Sequence, residues 1–329
     1  MEKTSVTLTD IQEAAKRIGP YIRHTPLLRQ AKMDAKMGCQ VYVKPEMLQI
    51  TGAFKLRGAL SKILSLSPEE RQKGIVTSSS GNHAQACAYA GQLFGIPATV
   101  VIPEDAPAIK IANAKAMGAK VIVEKRNYDI RWERVRQEVA ERGCHIVHAF
   151  EDYTVMAGQG TIALEIMEDL PDVDTIVAPI GGGGLISGIS TAVKESNPRI
   201  RVIGVQAAAS AGYVASRQAG KRVKVDPRPT IADGITCAKP TDHPYPIIER
   251  YVDELVAVSE ESILEALKLI AQEAKLVAEP TSSVVAAALL SGQIKTRPNE
   301  KVCLVLTSGN WDLRSLGKVF LDQPVPGVM

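Results

Sequence analysis

The run TIVAPIGGGGLISGISTAV, Thr175 to Val193, decides the fold. An almost wholly apolar β-type segment, TIVAPI, meets four consecutive glycines and then LISGISTAV, whose apolar residues fall at helical spacing. A strand without polar alternation is one covered on both faces, as in a parallel sheet flanked by helices. Outward from this unit the pattern repeats. β-rich runs stand at VYVK from 41, IVTSSS from 75, TVVIP from 99, KVIVE from 120, HIVHAF from 145, RVIGVQ from 201 and VCLVLTSG from 302. Between them AGQLFG, AIKIANAKAMG and GTIALEIMEDL carry helical periodicity. Strand and helix in alternation predict an α/β fold with parallel sheets.

The 329 residues compare with roughly 100 to 200 per domain, so one large or two medium domains are expected. Hydrophobic residues at 45% and charged residues at 23% exclude a disordered, collagen-like or coiled-coil chain. The net charge of +3 comes without basic runs at the termini, which argues against nucleic acid and anionic membrane as partners. Cys39, Cys87, Cys144, Cys237 and Cys303 are odd in number and scattered, with no metal-type spacing. Reduced thiols and an N-terminus, MEKTSVTLTDIQ, without an apolar signal core predict a cytosolic protein. Thr77 to Pro103 and Thr175 to Val193 lack charge, yet SSSGNHAQ and Pro179 with GGGG would leave backbone groups unsatisfied in lipid. Both read as buried strand, loop and helix start. The irregular stretch from Ala207 to Gly234 reads as a surface excursion around a site.

Four groups of residues carry chemistry. Gly181 to Gly184 allow close backbone approach, and their N–H groups with a helix N-terminus make a phosphate cradle. The pattern is neither G-x-G-x-x-G nor GxxxxGK[ST], and a tight turn alone does not call for four glycines. SSSGNHAQ, Ser78 to Gln85, offers hydroxyls, an amide and free N–H groups between a strand and a helix, which suits a carboxylate. A capped helix needs one such residue and leaves the others spare. His83 in that run reads as a structural histidine without an acid–base role. TGAFKLRG places Lys55 at the start of the helix LRGALSKILSL, where the macrodipole disfavours a cation, depresses its pKa and makes it a candidate Schiff-base former. TSGN, Thr307 to Asn310, ends the last apolar strand, and Glu279 stands in LVAEPTS; polar groups at strand C-termini are where open α/β sheets bind ligands.

The ordered set KPEMLQITGAFKLRGA, SSSGNHAQ, AGQGT, GGGGL, TIADG, AEPT and TSGN resembles the fold-type II pyridoxal-phosphate enzymes, in the branch of serine/threonine dehydratases and serine racemases. The match spans nearly the whole chain. The resemblance implies two open, mostly parallel twisted sheets flanked by helices, with pyridoxal 5'-phosphate as cofactor. It implies a large cofactor-binding domain of residues 1–66 and 151–329 and a small mobile domain of 67–150. Lys55 would hold the cofactor as a Schiff base, with Phe54 beside the ring and Asn82 at its phenolic oxygen. Gly181, Gly182, Gly183, Gly184 and Leu185 would hold the phosphate. Ser79, Ser80, Gly81 and His83 would grip the substrate carboxylate, Glu279 would lie near the ring and Thr307 would face the pyridine nitrogen. A hydroxyl there cannot keep that nitrogen protonated, which favours β-elimination over transamination. Lys55 would then remove the α-proton of a β-hydroxy amino acid, turning L-threonine into 2-oxobutanoate and ammonia, or L-serine into pyruvate and ammonia.

Several positions depart from the family pattern. Thr307 stands where Ser is common, and Ala53 replaces a common Ser. Ser80 matches a residue that acts as the opposite-face acid/base in racemases and is Ala in bacterial catabolic dehydratases, so a serine racemase with dehydratase side activity is the alternative. A dehydratase for 3-hydroxyaspartate is another. Arg131 in NYDIRWERV matches an arginine that racemase-like members place near the substrate, or is a solvated helix arginine. QAAASAG, Gln206 to Gly212, has no carboxylate where such members bind a divalent cation, so no metal is expected. The short segment after TSGN implies no C-terminal regulatory domain. The family's usual homodimer or homotetramer is expected. A silent nucleotide-binding protein using the glycine cradle is the reading from another class, and Lys55 argues against it.

Overall fold

The computed structural model describes residues 4–324 apart from 105 and 107. Its strands are β1 Leu28–Arg29, β2 Gln40–Pro45, β3 Ile75–Ser78, β4 Ala98–Pro103, β5 Lys120–Glu124, β6 His145–Ile146, β7 Thr175–Pro179, β8 Arg201–Ala207, β9 Glu254–Val258 and β10 Lys301–Leu306. The helices run α1 Leu8–Ile18, α2 Ala31–Met37, α3 Lys55–Ser65, α4 Pro68–Gln72, α5 Asn82–Phe94, α6 Ala108–Ala116 and α7 Tyr128–Arg142. They continue with α8 Tyr153–Asp169, α9 Gly184–Ser196, α10 Gly212–Ala219, α11 Pro244–Tyr251, α12 Glu260–Leu269, α13 Pro280–Leu290 and α14 Leu313–Phe320. The strands form two open sheets. One has six strands in the order β1-β2-β10-β7-β8-β9, and the other four in the order β5-β4-β3-β6. Only the β1–β2 pair is antiparallel. All four strands of the second sheet come from residues 75–146, and those of the first from either side of that stretch.

The α/β reading is thus met, and each β-rich run in the sequence forms a strand. Two strands were not legible. β1 is two residues long, and β9 is an edge strand with three half-buried positions, so neither has the apolar run of a central strand. The stretch from Ala207 to Gly234 is less irregular than its sequence implies, since it holds α10. Among the described residues no helix is long and apolar enough to cross a membrane.

Helix α3 is packed on two faces. Leu56, Ala59, Leu60 and Ile63 on it are buried in one cluster with Ala84, Cys87, Ala88 and Ala90 of α5 and Ile75 and Val100 of the four-stranded sheet. Its other face meets α8, where the Gly58 N–H donates to Gln159 Oε1 at 3.2 Å. Behind that, α8 and α9 touch backbone to backbone: a Cβ on Gly188 would lie 2.1 Å from the Met156 carbonyl oxygen. This contact seats α9, and with it the glycine run at its N-terminus.

Candidate active site

In an open parallel sheet, ligands gather where the chain leaves the C-terminal ends of strands. Here the segments after β3, β6, β7 and β10 meet in one cleft of about 330 Å³. Every site residue singled out in the sequence lines it: Phe54, Lys55, Ser79, Ser80, Gly81, Asn82, His83, Arg131, Gly181 to Gly184, Leu185, Glu279 and Thr307. Residues far apart in the chain are therefore brought together by the two sheets.

Lys55 is the first residue of α3. The loop before it is tied to the end of β10, because the Phe54 N–H donates to the Thr307 carbonyl at 3.0 Å and the Gly309 N–H to that of Gly52 at 3.1 Å. The Lys55 amine donates to the Ala149 carbonyl at 3.0 Å and stands 4.9 Å from the centre of the Phe54 ring. Burial lowers its pKa from 10.5 to about 8. Desolvation is thus the main cause of the depression that the sequence assigns to the helix dipole. Two residues on, Arg57 is fully buried and donates to both oxygens of Glu46, at 2.8 Å each, and to Glu165 at 2.5 and 2.9 Å. Lys44, also fully buried, reaches Glu165 at 2.7 Å. These ion pairs pin the first turn of α3 to β2 and α8.

The glycines at 182, 183 and 184 are sterically required. A Cβ on Gly182 would fall 2.3 Å from the Phe150 ring, one on Gly183 2.6 Å from the Tyr213 hydroxyl, and one on Gly184 2.8 Å from the Phe150 backbone. Gly183 has φ +94°, a left-handed conformation that side chains resist. The Tyr213 hydroxyl donates to the Gly182 carbonyl at 3.1 Å. Among the described residues no protein acceptor takes the N–H groups from Gly181 to Leu185. Unsatisfied donors at a helix N-terminus form an anion cradle, and a phosphate fits it.

After β3 the chain turns through Ser79 and Gly81, whose N–H donates to Ser79 Oγ at 3.3 Å, into α5 at Asn82. His83 shares a hydrogen bond with the Val147 carbonyl through Nε2 at 2.9 Å, and burial pushes its pKa down to about 3. It is a neutral, structural imidazole at working pH. Arg131 Nη1 donates to Ser78 Oγ at 3.3 Å from α7. Asn82 Nδ2 donates to Glu279 at 3.2 Å, Ser308 Oγ donates to the same carboxylate oxygen, and Asn310 Nδ2 donates to Asn82 Oδ1 at 2.9 Å. Thr307 is buried with its hydroxyl 3.0 Å from that of Ser282.

Sequence reasoning missed Tyr128, Ala149, Phe150 and Thr236 in the lining. The run HIVHAF reads as strand throughout, but β6 stops at Ile146 and the last residues of the run enter the cleft. Their place beyond the C-terminal end of a parallel strand was the available signal.

A lysine with a depressed pKa, an anion cradle and a polar loop in one cleft are the groups that an enzyme joining an amine to a phosphorylated carbonyl cofactor requires. The chain belongs to the pyridoxal-phosphate dependent enzyme family, whose pattern it matches across residues 18–308. It is 44% identical over 314 residues to an L-threonine ammonia-lyase of Thermotoga maritima, covering 95% of this chain and 78% of that one. It is 43% identical to the catabolic L-threonine dehydratase of Staphylococcus aureus, covering 95% and 92%. Among solved structures, maize serine racemase superposes with a TM-score of 0.92 at 36% identity, covering 97% and 98%. The serine racemase of Dictyostelium discoideum does so with 0.88 at 39%, covering 93% and 99%. The chain is accordingly a pyridoxal-phosphate-dependent lyase.

Proposed function

We propose that this enzyme is an L-threonine and L-serine ammonia-lyase, eliminating the β-hydroxyl of a small amino acid to give 2-oxobutanoate or pyruvate and ammonia. The observation that carries the reading is the amine of Lys55, half-buried and easily deprotonated, in one cleft with the glycine cradle and the Ser79–His83 loop. The names of the threonine ammonia-lyase and dehydratase relatives support the same chemistry.

Lys55, Phe54, Asn82, Glu279, Thr307 and the N–H groups of Gly181 to Leu185 would hold the cofactor, which when bound supplies an electron sink for the substrate α-carbon. Ser79, Ser80, Gly81 and His83 present the donors that take the substrate carboxylate, with Arg131 beside them. With a pKa of about 8, about a tenth of Lys55 is neutral at pH 7, against well under a hundredth for an ordinary lysine. That amine takes the α-proton and passes it to the departing β-hydroxyl, which leaves as water, and the enamine product tautomerises to an imine whose hydrolysis releases ammonia and the 2-oxo acid. The Thr307 hydroxyl, paired with Ser282, carries no charge and would not keep a proton on the nitrogen of a bound pyridine ring, which would favour elimination.

Ser80 in the lining, with the racemase neighbours, favours one second reading: α-epimerisation of serine with Ser80 as the other base. The test is a substrate panel on purified protein with 2-oxo acid and D-isomer measured together. Keto acid from L-threonine with little D-isomer supports the lyase; D-serine accumulating faster than pyruvate supports the racemase. Lys55→Ala is expected to abolish both the visible cofactor band and turnover.

We further infer that residues 67–150 act as a small mobile domain against 1–66 and 151–329, that the enzyme works as a homodimer or homotetramer, and that it resides in the cytosol. Domain closure is checked by a substrate-induced change in scattering or tryptophan emission, and assembly by light scattering.

A further inference from the structure

We propose that His148 is a positioning residue whose Nδ1 acceptor holds the carbonyl on which the Lys55 amine rests. The inference rests on Lys55 being the cofactor lysine.

The chain leaves β6 at Ile146 and turns sharply before α8 begins at Tyr153. His148 Nδ1 accepts the N–H of Glu151 at 2.9 Å and that of Phe150 at 3.3 Å. Nδ1 therefore carries the lone pair and the ring is the neutral tautomer with its proton on Nε2. Burial keeps it so, drawing its pKa down to about 4. Within the turn that these bonds close, Ala149 follows His148 in the chain, and its carbonyl takes the Lys55 amine at 3.0 Å. One side-chain acceptor thus closes the turn that aims this carbonyl, as Asp or Asn does in an Asx turn.

An Asx-type cap explains the two hydrogen bonds but not the ring. The imidazole has a second set of contacts. Trp132 of α7 stacks on it at 4.5 Å between centroids with 16° between planes, and Phe150 meets it edge-on at 4.7 Å and 89°. Phe150 in turn covers Gly182 and Gly184 so closely that neither can bear a Cβ. Glu151 accepts the N–H groups of Asp242 and His243, at 2.7 and 3.1 Å, which fastens the far end of the turn. The ring therefore touches, or is one residue from, the Lys55 acceptor, the phosphate cradle and the helix that carries Arg131.

The test uses His148→Asn, His148→Leu and His148→Gln. Asn places its oxygen near the position of Nδ1, Leu has no acceptor, and Gln carries its amide one carbon too far. The readout is the rate at which cofactor-free protein captures pyridoxal phosphate, followed by the visible band, with circular dichroism reporting the fold. Wild type and Asn are expected within about threefold of each other, and Leu and Gln slowed about tenfold, as for loss of hydrogen bonds to a held group. The Gln variant retains a polar side chain and keeps the comparison open if Leu fails to fold. Equal capture rates in all folded variants would overturn the inference while leaving the lyase reading intact. A wild-type protein that captures no cofactor, or a Lys55→Ala protein that still does, overturns both.

Discussion

Capture of a carbonyl by Lys55 requires the free amine, so its rate in cofactor-free protein should rise with pH and level off above about 8, not 10.5. Stopped-flow absorbance from about pH 6 to 10 checks this; a rate still climbing tenfold per pH unit between about 9 and 10 would mean that the amine is solvated. Gly182→Ala makes a second residue-scale prediction. Its Cβ meets the Phe150 ring at 2.3 Å, so the loop or the ring must shift, and cofactor affinity should fall by about thirtyfold or more. Adding Phe150→Ala to that variant should recover part of the loss, which equilibrium dialysis measures. Residues whose type is itself unusual at its place in the pattern were legible in the sequence. The glycine run announces close approach, and a lysine at a helix start announces an unusual amine. Ala149 was not legible, because it acts through its backbone carbonyl and alanine has no side chain to signal it.

At the scale of the element, α3 is held by charge as much as by apolar packing. Arg57→Ala would strand the buried Glu46 without its ion-pair partner and leave Glu165 to Lys44 alone, a loss of about 3–5 kcal/mol in urea unfolding. Arg57→Lys should recover little, since Lys cannot span both carboxylates with paired donors. Arg57 was not legible in the sequence. Its partners lie 11 and 108 positions away, and no local pattern reveals such a pairing. Strand runs were legible where both faces are covered, as in β7, whose every residue is buried. They faded at the edges, because β9 is half-buried at three of its five positions and has no continuous apolar signature.

For the whole molecule, acid stability follows from histidines held neutral. His83 has a folded pKa of about 3, against 6.5 for the free imidazole, so the unfolded chain binds the proton first. Stability from this group is therefore full above about pH 6.5 and falls toward pH 3, by up to about 1.4 kcal/mol per pH unit. Urea midpoints between about pH 7 and 4 measure it, and His83→Asn should flatten the slope. The two sheets were predictable in kind from alternating strand and helix, whereas which strands belong to which sheet is a property of long-range pairing. The buried cluster that α3 shares with α5 has one more consequence. The segment bearing the reactive amine lies outside the stretch that builds the four-stranded sheet, yet its apolar face is covered by a helix of that stretch. Residues 75–146 expressed alone would present a bare greasy strip to solvent, so that fragment should be recoverable in soluble form only when co-expressed with the segments that flank it.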